Sequence, residues 1–267
     1  MVIKLGVIGG GVMGEALLSR LLAQKAYTPQ EILVSDPQPE RRAFLESRYQ
    51  VKTIADNQVV TDAEILLLAI KPQILSQVVA GLETAKVQER SPLILSILAG
   101  TPLSKLESSF PGCPVVRAMP NTPATVGTGM TAIAPGQHAQ SQHLAQARRI
   151  FEAVGEVVEV PEALLDAVTG LSGSGPGYVA ILVEALTDGG VAAGLPRAIA
   201  AKLALQTVKG TAQLLESGLH PAELKDQVTS PGGTTIAGIA QLERSGFRSA
   251  LIEAVQAATR RSQELGR

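Results

Sequence analysis

Over the first 160 residues, short apolar runs alternate with stretches whose apolar positions recur at helical spacing. The runs predict strands at 2–8, 31–35, 64–70, 92–98, 115–118, 130–134 and 156–160; the periodic stretches predict helices at 15–24, 39–49, 73–82 and 142–153. Strands alternating with helices imply a parallel, doubly wound α/β sheet. The segment Ile65-Leu66-Leu67-Leu68-Ala69-Ile70 is apolar at every position, as a central strand buried on both faces should be. Beyond Pro161 the β-rich pattern ends. Residues 177–193 and 196–215 read as helices apolar on most sides, Pro196 sitting where a helix starts. A short helix opens at His220-Pro221, and a last one runs over 247–264. The chain therefore divides into a Rossmann-type domain, 1–160, and an all-helical domain, 161–267. The second is too apolar to stand as a solvated bundle, which implies burial against a second copy of itself.

Composition narrows the function. The chain is 45% hydrophobic and 18% charged with a net charge of −1, and no basic block marks a nucleic-acid surface. Trp is absent and aromatics are 3%, which removes stacking platforms for bases. Cys113 is the only cysteine, so no internal disulfide or cysteine-based metal cluster can form. No metal site is expected, because no cluster has ligand spacing. His138 and His143 lie in a Gln/Ala-rich segment that reads as solvated, and His220 precedes a helix start, where it reads as a cap or loop residue. No leader or membrane span is evident, and a cytoplasmic protein is expected.

Two glycine-rich segments carry the chemistry. After the first strand, Gly9, Gly11 and Gly14 fit G-x-G-x-x-G in the required strand–turn–helix context, where the backbone cradles a dinucleotide pyrophosphate. At the end of the second strand, Asp36 would favour NAD by accepting from the ribose 2′-hydroxyl. Ser35 with Arg41 and Arg42 would instead suit a 2′-phosphate. The balance leans to NADP, with NADH as the alternative. Far along the chain, Val228-Thr-Ser-Pro-Gly-Gly-Thr-Thr235 precedes an apolar-periodic stretch, and so reads as an anion-binding helix start. Lys71 stands at the end of a predicted strand, where ligands of open α/β sheets gather.

Taken together, the 9–14 loop, Ala69-Ile70-Lys71-Pro72-Gln73, Arg117–Pro123, Leu171-Ser-Gly-Ser-Gly-Pro-Gly-Tyr178 and the 228–235 octet closely resemble the Δ1-pyrroline-5-carboxylate reductase family, in order and over essentially the whole chain. The last two motifs are specific; the first is shared by many dehydrogenases. The resemblance implies NAD(P)H-dependent reduction of a cyclic imine, the last step of proline biosynthesis. It also implies a helical dimerisation domain and homodimers that assemble into larger rings, a decamer of five dimers among them. Carried over by position, the dinucleotide contacts Gly9, Gly10, Gly11, Val12, Met13, Ser35, Asn57, Ala69, Ile70, Lys71 and Pro72. The substrate carboxylate sits on Ser230 and the N–H groups of Gly233 and Thr234, and Thr235, the catalytic candidate, hydrogen-bonds the ring nitrogen. Gly177 stands where the family often has alanine.

Two other functions fit parts of the pattern. A β-hydroxyacid-type dehydrogenase would use a lysine of its second domain as acid, but Lys202, Lys209 and Lys225 lie in no such motif. A non-catalytic dinucleotide-binding dimer would use the octet only to start a helix. A helical domain built for self-association also implies that the two halves of the site come from different subunits.

Overall fold

The computed structural model describes residues 3–266; Val2, assigned above to the first strand, lies outside them. The order is β1 (Leu5–Ile8), α1 (Val12–Ala23), β2 (Ile32–Ser35), α2 (Pro39–Tyr49), β3 (Lys52–Ile54), α3 (Asn57–Val60), β4 (Ile65–Leu68), α4 (Leu75–Ala80), α5 (Thr84–Arg90), β5 (Leu93–Ser96), α6 (Leu103–Ser109), β6 (Val115–Met119), β7 (Gly129–Pro135), α7 (Ser141–Phe151), β8 (Gly155–Glu159) and α8 (Leu165–Val168). Five helices follow: α9 (Gly175–Ala192), α10 (Arg197–Glu216), α11 (Pro221–Gln227), α12 (Thr234–Arg244) and α13 (Phe247–Leu265). Packing divides the chain into two compact units, one running to Gly173 and taking in the segment from Ala257, the other Ser174–Gln256.

The strands form one sheet in the order β3-β2-β1-β4-β5-β6-β7-β8. The chain reverses its direction of travel across the sheet between β1 and β4, the crevice where an open α/β sheet takes its ligand. The sheet is not wholly parallel as the alternation implied: β7 runs antiparallel to β6, with Arg117 opposite Ala134. The connection from β6 to β7 holds only a single short 3-10 segment, Thr122–Val126, too short for the crossover that a parallel neighbour needs. The predicted helix over 73–82 is also divided, into a 3-10 turn at Pro72–Ile74 and α4.

The all-apolar run around β4 behaves as its sequence requires. Ile65 and Leu67 join one core with Leu5, Val7, Leu17, Val34 and Phe151. Leu66 and Leu68 join a second core on the opposite face, with Ile8, Leu75, Ile94 and Phe110. Gly6 is required where α3 crosses the sheet, because a methyl there would meet the Val60 carbonyl oxygen.

In the helical unit, α9 and α10 lie close because Gly190 faces Ala200. Ala200 and Ala204 are buried, whereas Ile181, Ile199, Leu203 and Leu205 are more than half exposed. Among the described residues no helix is long and apolar enough to cross a membrane.

Candidate active site

In the sheet unit, the turn between β1 and α1 is built by its glycines. Gly9 has φ +103°, the left-handed region, and a side chain there would strike the Ala69 carbonyl. A methyl at Gly14 would strike the Gly9 carbonyl oxygen, so α1 approaches β1 only because Gly14 has no side chain. At Gly11, by contrast, a methyl would meet nothing within 4 Å. That open space borders the start of α1, which has Gly11 as its N-cap and no capping side chain. Uncapped N–H groups and the helix dipole favour an anion there. The turn thus has the shape and donors of a pyrophosphate cradle, and the residues present fit a dinucleotide.

Side chains hold the rest of the turn. Gly9 N–H donates to the Ser35 carbonyl (2.8 Å), and Gly10 N–H donates to Asp36 Oδ2 (2.9 Å). Asp36 Oδ1 accepts from Gln38 N–H (2.9 Å). Arg41 donates through Nε to the Gly10 carbonyl and through Nη2 to Glu15, and Tyr49 Oη donates to the other oxygen of Glu15 (2.7 Å). Burial raises the Glu15 carboxyl, but hydrogen bonds from Arg41 and Tyr49 outweigh it and hold the acid below its ordinary range. Asp36 and Arg41 are thus turned toward the glycine turn.

At the end of β2, the buried Ser35 hydroxyl donates to Asn57 Oδ1 (2.5 Å). Asn57 starts α3, whose N-cap Asp56 accepts from Gln58 N–H (2.9 Å). The pair leaves the Nδ2 amide of Asn57 as a donor without a partner among the described residues. Arg42 Nη1 is fixed to the carbonyls of Asp36 (2.8 Å) and Pro37 (3.0 Å). At the end of β4, Ala69 and Ile70 are half-buried and Lys71 is exposed. Val12 is 74% exposed and Met13 is partly buried against the first core.

Sequence reasoning gave no role to the side chain of Asn121, just past β6. Its Oδ1 accepts from Met130 N–H (2.9 Å), and its Nδ2 donates to the carbonyl (3.2 Å) and hydroxyl (3.3 Å) of Ser172. Ser172 lies in a π-helical turn, Thr169–Gly173, of the kind often found at functional sites. Nearby, Arg117 pairs with Glu162 (2.9 Å), which also accepts from Leu103 N–H (2.6 Å). The sequence marks these residues only by their place at a strand end; apart from Met130, nine positions from Asn121, their partners Glu162 and Ser172 are 45 and 51 positions away.

In the helical unit, the octet bridges α11 and α12. Gly232 turns the chain at φ +67° and Gly233 is the N-cap of α12, again with no side-chain cap. Gly233 N–H already donates to the Ser230 carbonyl (3.0 Å). The Ser230 hydroxyl lies against Gly233, where a side chain would displace it. Ser230 and Thr234 are exposed and Thr235 is half-buried. Thr229 Oγ donates to the Lys225 carbonyl (2.6 Å). His220 acts as a cap, accepting from Ala222 N–H (3.2 Å). His143 caps likewise, accepting from Gln140 N–H (2.9 Å), and burial lowers its pKa. Among the described residues no three His, Cys, Asp or Glu side chains could hold a metal.

A glycine turn with the shape of a dinucleotide cradle on a doubly wound sheet, with a separate helical unit carrying a second uncapped, glycine-opened helix start, fits the class of nicotinamide-dependent oxidoreductases. The model of pyrroline-5-carboxylate reductase dimerisation matches residues 162–265, and that of NADP oxidoreductases, coenzyme F420-dependent, matches residues 4–100. Pyrroline-5-carboxylate reductase of Synechocystis sp. is 61% identical over the whole of both chains, and that of Methanosarcina acetivorans 46% identical over 99% of this chain and 98% of its own. Among solved structures, the Coxiella burnetii reductase superposes with a TM-score of 0.93 at 32% identity, covering both chains fully. The Plasmodium falciparum enzyme with NADP bound superposes with a TM-score of 0.87 at 30% identity, covering 99% of this chain and 98% of that one. The chain belongs to the pyrroline-5-carboxylate reductase family.

Proposed function

We propose that this chain reduces Δ1-pyrroline-5-carboxylate to L-proline, the last step of proline biosynthesis, with NADPH as preferred cofactor. The observation that carries the reading is the presence, in one chain of this family, of a dinucleotide cradle at Gly9–Gly14 and an uncapped, glycine-opened helix start at Gly233–Thr235.

When bound, the cofactor supplies a hydride from nicotinamide C4. The hydride adds to the imine carbon, the C=N π electrons pass to the ring nitrogen, and that nitrogen takes one proton. The protein's work is to orient two ligands and to favour the protonated imine. Gly9 to Met13 hold the pyrophosphate, Ser35 and Asn57 the adenosine ribose, and residues 69–72 the strand-end turn facing the nicotinamide half. Ser230 and the N–H of Thr234 hold the substrate carboxylate. The N–H of Gly233 joins them by exchanging its bond to the Ser230 carbonyl. The Thr235 hydroxyl hydrogen-bonds the ring nitrogen.

The preference for NADPH rests on which groups stay available at the end of β2. Asn57 Nδ2 and the rest of the Arg42 guanidinium are donors, which suit a phosphate. The Asp36 carboxylate, which would repel one, already receives two N–H groups. Exposed Ile181, Leu203 and Leu205 on α9 and α10 support pairing of two chains through the helical unit. Dimers then assemble into a decamer of five, with neither nucleic acid nor membrane as partner. A single, buried cysteine fits action in the cytoplasm. The test is the initial rate of cofactor oxidation at fixed pyrroline-5-carboxylate, with NADPH and with NADH. Substrate-dependent oxidation with the lower KM for NADPH is expected. Turnover only as oxidation of a hydroxyacid with reduction of NAD⁺ to NADH, or cofactor binding without turnover, would refute the activity. A lower KM for NADH would refute the preference alone.

A further inference from the structure

Both backbone polar groups of one residue in the glycine turn, Gly10, are held by charged side chains from the β2–α2 region. Gly10 N–H donates to Asp36 Oδ2, and the Gly10 carbonyl accepts from Arg41 Nε. Asp36 is itself braced by Gln38 N–H, and Arg41 by Glu15, which Tyr49 holds from the other side. Arg41 also lies over the Phe44 ring, 5.0 Å from its centre, and Phe44 meets Tyr49 edge to face. Gly10 immediately precedes Gly11, whose surface is open, and the uncapped start of α1. Turning either peptide that flanks Gly10 would therefore re-aim the N–H groups that follow it, the Gly11 N–H first, because it shares its peptide with the Gly10 carbonyl.

We infer that Asp36 and Arg41 are positioning residues for the pyrophosphate turn and do not choose between NADH and NADPH. Asp36 follows the last residue of β2, the place where an acid ordinarily accepts from the adenosine ribose and selects NAD. Here its two oxygens are directed to Gly10 and Gln38. Arg41 would be the natural partner of a 2′-phosphate, yet its guanidinium is committed to Gly10 and Glu15. The clamp acts through backbone that contacts the pyrophosphate, which both cofactors share. Its loss should therefore weaken both alike.

The inference rests on the reading of the 9–14 loop as a cofactor cradle. That reading has its own control: wild-type enzyme that binds neither ADP-ribose nor NADPH would remove the cradle itself. With the cradle in place, the test is the Asp36→Asn variant, which keeps size and can satisfy one backbone N–H. The KM values for NADPH and NADH should rise together, by roughly tenfold, with their ratio unchanged within about threefold. ADP-ribose, which carries the pyrophosphate, should lose competitive affinity by a similar factor. Adenosine 2′-monophosphate, which lacks any 5′-phosphate, should not. Arg41→Lys, which loses the planar fork but keeps the charge, should show the same pattern. It decides the matter if Asp36→Asn fails to fold. A shift of the NADH-to-NADPH ratio by tenfold or more, equal weakening of adenosine 2′-monophosphate, or unchanged KM values for both cofactors would each overturn the inference.

Discussion

At the residue scale the chemistry depends on few side chains, and Thr235 is the sharpest case. It is the second residue of α12, whose N-cap Gly233 offers no capping side chain. If its hydroxyl holds the ring nitrogen, Thr235→Ala removes one hydrogen bond at the reacting atoms. kcat/KM should fall by about 5- to 150-fold, equivalent to about 1–3 kcal/mol, with cofactor KM little changed. Wild-type kinetics in that variant would remove Thr235 from the reaction. A separate residue-scale prediction concerns pH. Hydrogen bonds from Lys4 and from the Thr28 backbone and hydroxyl hold Glu31 down to about 2 from an ordinary 4.5. A depressed carboxyl stabilises the fold above its unfolded value and loses that contribution as pH falls through the window from 4.5 toward 2. Melting temperatures of wild type and Glu31→Gln should therefore converge as pH falls below about 4.5; parallel curves would contradict the assignment. The sequence placed Thr235 and Glu15 on helices but could not show where Asp36 points. An acid after a strand reads the same whether its oxygens meet a ribose or the Gly10 peptide, and only the folded turn separates the two.

At the element scale the alternation of apolar runs made most of the sheet legible, because buried parallel strands need apolar side chains on both faces. Strand β3 was not legible: it has three residues, Lys52–Ile54, none of them buried. Helices α5 and α6 are seven residues each, with one and two buried positions, too short for periodicity to register. The direction of β7 was hidden for another reason. Its residues satisfy a buried strand in either sense, and only the length of the preceding connection decides. The glycine turn was legible because three glycines recur at fixed spacing, Gly9 and Gly14 under distinct steric demands and Gly11 beside open space. Gly14→Ala, whose methyl meets the Gly9 carbonyl oxygen, should abolish dinucleotide binding and lower unfolding free energy by about 1–3 kcal/mol, read by cofactor titration and denaturant melts. Leu67→Ala, at a side chain with 0% exposure, should cost about 2–5 kcal/mol of stability. Its folded fraction should still bind cofactor normally, because Leu67 packs in the core.

At the scale of the whole molecule, the chain places its two glycine-opened helix starts in different compact units: Gly9–Gly14 in one, Ser230–Thr235 in the other. The change of texture after Pro161 in the sequence suggests a boundary at 160, whereas packing divides the chain after Gly173 and returns the segment from Ala257 to the first unit. The octet's ligand was not legible from spacing and came from likeness to a family. The proposed pairing of chains predicts that specific activity falls on dilution together with the dimer fraction seen by light scattering. A fully active monomer would show that one chain completes the site. The central claim is direct hydride delivery from the cofactor in the Gly9–Gly14 cradle to an imine held at the Thr235 helix start. It is tested most directly with NADPH deuterated on each face of nicotinamide C4 in turn. The account predicts that proline carries the label at its δ carbon from one face only. Label lost to solvent, or proline without deuterium from either cofactor, would contradict it.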